Sequence, residues 1–215
     1  MKRDGSKVLR YSLALALVAL LSILISCEQI FTYSPLSWAQ RDPADLPPAQ
    51  QVSYAQNLLG SGADREIFAA AYEAIADSSD PEVQLLASKV AVSASGLNDA
   101  VEELFKSMDS LDEESIQTIL DGVDKDMLAN AVTSMDKADA DGATKESISS
   151  ADYVVTAAAV LLASEEDITS ETTFDEIDSA FETASNDDGA TTYQKAAYYL
   201  REAGYSDAKD LEQLL

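Results

Sequence analysis

Asp80-Pro81-Glu82-Val83-Gln84-Leu85-Leu86-Ala87-Ser88-Lys89-Val90-Ala91-Val92-Ser93-Ala94-Ser95-Gly96-Leu97 is the stretch whose reading sets the fold class. Val83, Leu86, Ala87, Val90, Ala94 and Leu97 recur at intervals of three and four, the spacing that lines one face of an α-helix. Asp80 stands where an N-cap belongs. Pro81 suits the first helical position, where its missing N–H would have had no intrahelical acceptor. Gly96 sits at the far end, where a left-handed helix terminus favours glycine.

The same period continues outward. Val101, Leu104, Phe105 and Met108 carry it, then Ile116, Ile119, Leu120 and Val123, then Met127, Leu128, Ala131, Val132 and Met135, and later Phe174, Ile177, Phe181 and Ala184. Alternating β-branched runs with tight turns do not occur. Ser110-x-x-Glu113 and Thr173-x-x-Glu176 have capping-box spacing, which predicts helix starts there. The pattern predicts an all-α domain over residues 48–215, with about nine or ten short helices and sequential neighbours packed antiparallel. A multi-helix bundle and a short α-solenoid of helix pairs both fit, without a sheet. Ala151–Ala163 is apolar nearly all round. It is shorter than the roughly 20 residues a membrane span needs, so it is expected to be the buried central helix.

Charge narrows the function classes. The chain holds 14 Lys+Arg, 39 Asp+Glu and no His. A strongly negative field repels nucleic acid and anionic lipid headgroups, both of which are bound through Lys and Arg. The lack of His removes the commonest general base and a common metal ligand together.

The N-terminal segment differs in kind. Lys2, Arg3, Lys7 and Arg10 precede an almost wholly apolar run from Tyr11 to Ile25, and Ser26 is followed by Cys27, the only cysteine. This is a basic region followed by an apolar region of signal-peptide length. Leu24-Ile25-Ser26-Cys27 resembles the lipobox of bacterial lipoproteins, although Ile25 stands where a small residue is more usual. The resemblance implies that residues 1–26 are removed and that Cys27 carries a diacylglycerol, leaving no thiol for a disulfide or catalysis. Loss of residues 1–26 would leave 10 basic against 38 acidic residues, about −28. An uncleaved membrane anchor is the other reading of the same residues. Both place the rest of the chain in the cell envelope, facing the periplasm or the exterior. In the sorting rule of the lipoprotein family an Asp after the lipidated Cys retains the protein at the inner membrane. Glu28 in that position points to the outer membrane of a diderm.

Residues 27–47 read as a lipidated Cys and a tether, because four of the five prolines lie between Pro35 and Pro48 (Pro35, Pro43, Pro47 and Pro48). Its aromatics, Phe31, Tyr33 and Trp38, suit a headgroup-level belt, packing on the first helix, or a docking peptide.

Two stretches resemble the helix pairs of tetratricopeptide repeats. One is Ala197-x-x-Leu200-x-x-Ala203-Gly204-Tyr205-x-x-Ala208-x-x-Leu211, and the other runs from Tyr54-Ala55 through Leu58-Leu59-Gly60 to Pro81. The second departs from the repeat's register between Gly60 and Pro81. The resemblance implies stacked helix pairs over part of the domain, and a plain irregular bundle stands beside it.

No residue set points to catalysis. Asp139-Ala140-Asp141-Gly142 resembles part of a calcium loop, but Lys137 and Ile148 fall where the first and last carboxylates belong. Asn186-Asp187-Asp188-Gly189 fails in the same way, with Ala184 first and Lys195 last. Ser134-x-x-Lys137 and Ser206-x-x-Lys209 match one motif of penicillin-recognising enzymes without its companions. The expectation is therefore no catalytic residue, no metal and no cofactor. Tyr193, Tyr198, Tyr199 and Tyr205 crowd one short region, either as a core edge or as an aromatic surface that grips a ligand or peptide. The expected function is a non-enzymatic, membrane-anchored scaffold for another envelope protein. The alternative is a ligand-binding accessory of envelope transport, holding a small or lipidic ligand in an enclosed apolar pocket beside residues 151–163.

Overall fold

The computed structural model describes residues 42–107, 118–164 and 171–207. Among these residues every regular element is helical, and the fold is an all-α bundle. In chain order the helices are α1 (Pro48–Leu58), α2 (Arg65–Ile75), α3 (Pro81–Ser95), α4 (Leu97–Ser107), α5 (Lys125–Asp139), α6 (Gly142–Lys145), α7 (Ser150–Ala163), α8 (Glu171–Ala180) and α9 (Thr192–Glu202). Residues 118–121 are also helical, and 3₁₀ turns occupy Pro43–Asp45 and Phe181–Thr183. The described residues belong to one compact unit that starts at Asp42. The turn at Pro43–Asp45 packs on α2, so the last residues of the proline-rich segment are part of that unit.

The α3 boundaries follow the local chemistry. The Asp80 carboxylate accepts the Glu82 amide at 3.0 Å, and Pro81 opens the helix. Gly96 ends it at φ 78°, a left-handed conformation that a side chain disfavours. Gly96 also makes room, since a Cβ there would lie 1.9 Å from Cζ of Arg65. That guanidinium donates to the Gly122 carbonyl at 2.9 Å and to Asp99 Oδ2 at 3.1 Å. One side chain thereby ties α2 to α4 and to the loop before α5.

Capping boxes do form, but not where the spacing predicted. They are Ser149 with Asp152 at the start of α7, and Thr191 with Gln194 at the start of α9. Thr173 and Glu176 lie within α8 instead of before it, and Ser110 and Glu113 fall outside the described residues. Gly204 closes α9 at φ 104°, with the Tyr205 amide bonded to Leu200 O at 3.1 Å and the Gly204 amide to Arg201 O at 3.0 Å. That pair of bonds is a Schellman end.

The central helix is α3, not the one over residues 151–163. Nine residues of α3 are buried, including Gln84, Ser88 and Ser95, against five of α7. The helix stands between two apolar clusters. Leu86, Ala87, Val90 and Ala94 join Ala55, Leu58, Phe68, Ala71 and Ile75 of α1 and α2. Ala91 and Val92 join a larger cluster with Leu128, Ala131, Met135, Tyr153 and Tyr199 of α5, α7 and α9. Ala87, Ser88, Ala91, Ala94 and Ser95 are buried in α3, so small side chains line its contacts with both clusters. Its main partner is α5, with α4 intervening in sequence; sequential neighbours pair at α1–α2, α2–α3 and α8–α9, while the larger contacts α3–α5, α7–α9 and α5–α7 each skip a helix.

Candidate functional site

Leu24, Ile25, Ser26 and Cys27, with Phe31, Tyr33 and Trp38, lie outside the described residues. Of the tyrosines, Tyr199 is fully buried and does not belong to a surface, while Tyr193, Tyr198 and Tyr205 are half-buried. They pack against the larger core cluster, as core-edge side chains do.

What organises this region is a pair of acids one helical turn apart on α5. Asp139 is 5% exposed and accepts from Tyr153 Oη at 2.6 Å, Tyr198 Oη at 2.5 Å and Asn186 Nδ2 at 3.3 Å. Lys145 Nζ of α6 lies 3.3 Å from its Oδ1 and 2.9 Å from Glu202 of α9. Asp136 accepts from the Tyr199 hydroxyl and pairs with Lys195 Nζ at 2.5 Å. The consecutive tyrosines of α9 thus point to two different acids. Their rings meet edge to face at 5.3 Å, and Lys145 and Arg201 lie over the Tyr198 ring at 5.3 and 5.8 Å.

A buried carboxylate persists when several donors and a cation compensate for its lost hydration. The neighbours respond accordingly. Burial and the Asp139 bond push the Tyr198 hydroxyl up to about 12, against the opposing bond from Lys145. Burial, with the Asp136 charge and bond, pushes Tyr199 well above the usual tyrosine range, and burial with Asp139 does the same to Tyr153. For Lys145, burial pulls the ammonium down, but its bonds to Tyr198 and Glu202 and the Asp139 charge more than offset that and hold it above the ordinary lysine value. These groups stay protonated at neutral pH, which suits a structural lock between α5, α6, α7 and α9.

The loops that resemble calcium sites are used otherwise. Asp139 belongs to this lock, and Asp141 caps α6 through the Thr144 amide at 2.9 Å. Asp187 receives the Ser185 hydroxyl at 2.8 Å, and no group of three or more metal-type side chains gathers among the described residues. The Ser134 hydroxyl is buried without a hydrogen-bond partner among the described residues, while Lys137 is exposed, so the pair is not assembled as nucleophile and base. Ser206 is exposed, and Lys209 lies outside the described residues.

A cleft of about 240 Å³ opens between α3 and α7. Ser88, Lys89, Val92 and Ser93 form one wall, and Asp152, Val155 and Thr156 the other. Met135 of α5 also lines it, with Leu59 and Asn98. Lys89 Nζ reaches across to Asp152 Oδ2 at 3.0 Å. Burial would raise the Asp152 carboxyl, but the bonds from Lys89 and Ser149 outweigh it and hold the group below its ordinary value. This cleft beside residues 151–163 is open and is lined by both polar and apolar groups.

Comparison of the chain with protein families, curated proteins and solved structures returns no match. The structure therefore defines a class on its own geometry: an acidic all-α bundle with a tyrosine–carboxylate lock on one side and a charged cleft on another. No described helix is long and apolar enough to cross a membrane.

Proposed function

We propose that the chain is an extracytoplasmic lipoprotein, anchored by a lipid on Cys27, whose acidic helical domain is a non-enzymatic scaffold for another envelope protein. The observation that carries the reading is the order of Lys2–Arg10, the apolar run and Leu24-Ile25-Ser26 ahead of the only cysteine. The acidic charge supports a partner other than nucleic acid, and Glu28 supports the outer membrane if the cell is a diderm. Replacing Cys27 by Ala tests the anchor. The expected result is loss of the lipid mass and release from the membrane fraction or an unprocessed precursor. Unchanged mass and fractionation overturn the lipoprotein reading. Cross-linking in intact cells tests the scaffold, with one envelope protein expected in stoichiometric yield.

The α3–α7 cleft favours a second reading, in which the domain is a ligand-binding accessory of envelope transport. Native mass spectrometry of the protein from its own host separates the two. A stoichiometric small-molecule adduct supports ligand binding, and a clean mass supports the scaffold.

A further inference from the structure

The chemistry of the α3–α7 cleft points beyond ligand binding in general to one class of ligand. Lys89 and Asp152 form an ion pair in its lining, and Asp152 keeps accepting capacity. Its contacts with the Ser149 amide at 3.1 Å, the Ser149 hydroxyl at 2.8 Å and Lys89 at 3.0 Å all fall on Oδ2. Oδ1 is left to accept. An ammonium carries three donors, of which Asp152 uses one on Lys89. Ser88 and Thr156, each 2% exposed, add hydroxyls to the lining. The Thr156 hydroxyl donates to Asp152 O at 2.8 Å, so its oxygen can still accept. Val92, Met135 and Val155 supply apolar surface.

These groups discriminate among ligands. A simple anion would gain Lys89 but meet Asp152 and a domain of strongly negative charge. A simple cation would gain Asp152 but meet the Lys89 ammonium. An apolar molecule would strip water from both charges and from the hydroxyls without replacing the bonds. A molecule with an ammonium and a carboxylate close together answers both. The volume of about 240 Å³ lies below the roughly 300–1,000 Å³ typical of pockets for drug-sized ligands, which sets the size as small.

We propose that this cleft binds a small zwitterion with the charge pattern of a free α-amino acid, its ammonium on Asp152 Oδ1 and its carboxylate on Lys89 Nζ. The proposal rests on the ligand-binding reading above. The test is isothermal titration calorimetry on the full-length protein in detergent, with a panel of L-amino acids with uncharged side chains that includes leucine. Isocaproate, which is leucine without its amine, and isoamylamine, which is leucine without its carboxylate, are the controls. The expected result is saturable one-site binding of at least one amino acid. For leucine or its best-bound relative, the analogue lacking either charge should bind about tenfold more weakly or worse. Lys89→Met should cost a similar factor, and Val155→Phe should abolish binding by filling the cleft. Asn98→Trp, at an exposed position in the lining, gives a second block that leaves the core untouched should Val155→Phe fail to fold.

Absence of saturation by every amino acid overturns the proposal. So does equal binding of an amino acid and a single-charge analogue, or binding indifferent to both blocking substitutions. Native mass spectrometry separates the levels of failure. An adduct other than an amino acid keeps the ligand-binding reading and discards the zwitterion, whereas a clean mass together with silent titrations discards both.

Discussion

Between α2 and α3 the contacts are apolar: Phe68, Ala71 and Ile75 meet Leu86, Ala87, Val90 and Ala94. The one large polar group there, Gln84, spends its amide on the Ala76 and Ser78 carbonyls at 2.8 and 2.5 Å and so pins the α2–α3 turn. Between α5, α7 and α9 the packing is also close, but it is threaded by Asp136, Asp139, Tyr153, Tyr198, Tyr199, Lys145 and Lys195. The difference teaches that one bundle can be closed in two ways. Apolar contact is tolerant and insensitive to pH. A buried carboxylate with four donors specifies one arrangement and fails if its protonation changes.

Alkali should expose that difference most strongly, because it acts on every hydroxyl donor of the lock at once. Tyrosine in the unfolded chain titrates near 10, whereas Tyr198 is raised to about 12 and Tyr153 and Tyr199 are also raised. Raised folded values mean that the contribution is complete below pH 10 and is lost as pH climbs through the folded values. Lys145, also raised, acts in the same direction. Urea midpoints should therefore fall steadily above about pH 10, and hydrogen exchange should show α9 losing protection before α2 and α3. A flat midpoint to pH 12 would contradict the lock.

Asp139→Ala breaks the same region at neutral pH. It takes the acceptor from the Tyr153 and Tyr198 hydroxyls and leaves Lys145 with Glu202 alone as its carboxylate partner, with an expected loss of about 3–5 kcal/mol by chemical denaturation. Ile75→Ala is the matching cut on the apolar side, at about 2–5 kcal/mol. Its cost should be the same at pH 7 and in mild alkali, which sharpens the contrast if Asp139→Ala costs less in alkali. Tyr199→Phe removes one hydroxyl and leaves Asp136 with Lys195, so about 1.5–3 kcal/mol is expected. Gly96→Ala tests the junction between the two sides. It forces a side chain into the left-handed region and pushes Arg65 off Asp99 and Gly122. A loss of about 1–2 kcal/mol is expected, read as a lower melting temperature.

Much of the fold was legible in the residues. The period of three and four gave α3, α4, α5 and α8, and Asp80-Pro81 and Gly96 marked the ends of α3 because capping is decided by neighbours along the chain. The capping boxes of α7 and α9 were visible as Ser149-x-x-Asp152 and Thr191-x-x-Gln194, patterns the reading for Ser/Thr-x-x-Glu passed over. The tyrosine–carboxylate lock was half legible. The crowding of Tyr193 to Tyr205 stood out, but Asp136 did not, and Asp139 was read only as a loop acid. The available signal was that both acids follow the apolar stripe Leu128, Ala131, Val132 and Met135 of α5, where a solvated charge would be out of place.

The sequence by itself determined the helical class, the helix ends and the charge, since each depends on residues within a turn or two of one another. It also carries the N-terminal pattern on which the lipoprotein proposal rests. Tertiary structure alone decided that α3, rather than the more hydrophobic α7, lies at the centre. Centrality depends on which helices pack on both sides of an element, and α3 stands between the two apolar clusters, which the hydropathy of its own residues does not reveal. It alone decided that Tyr199 is buried, that Asp136 and Asp139 face α9, and that Lys89 meets Asp152. Those pairings join residues about 60 positions apart, and no local pattern encodes which distant helix face a charge will meet.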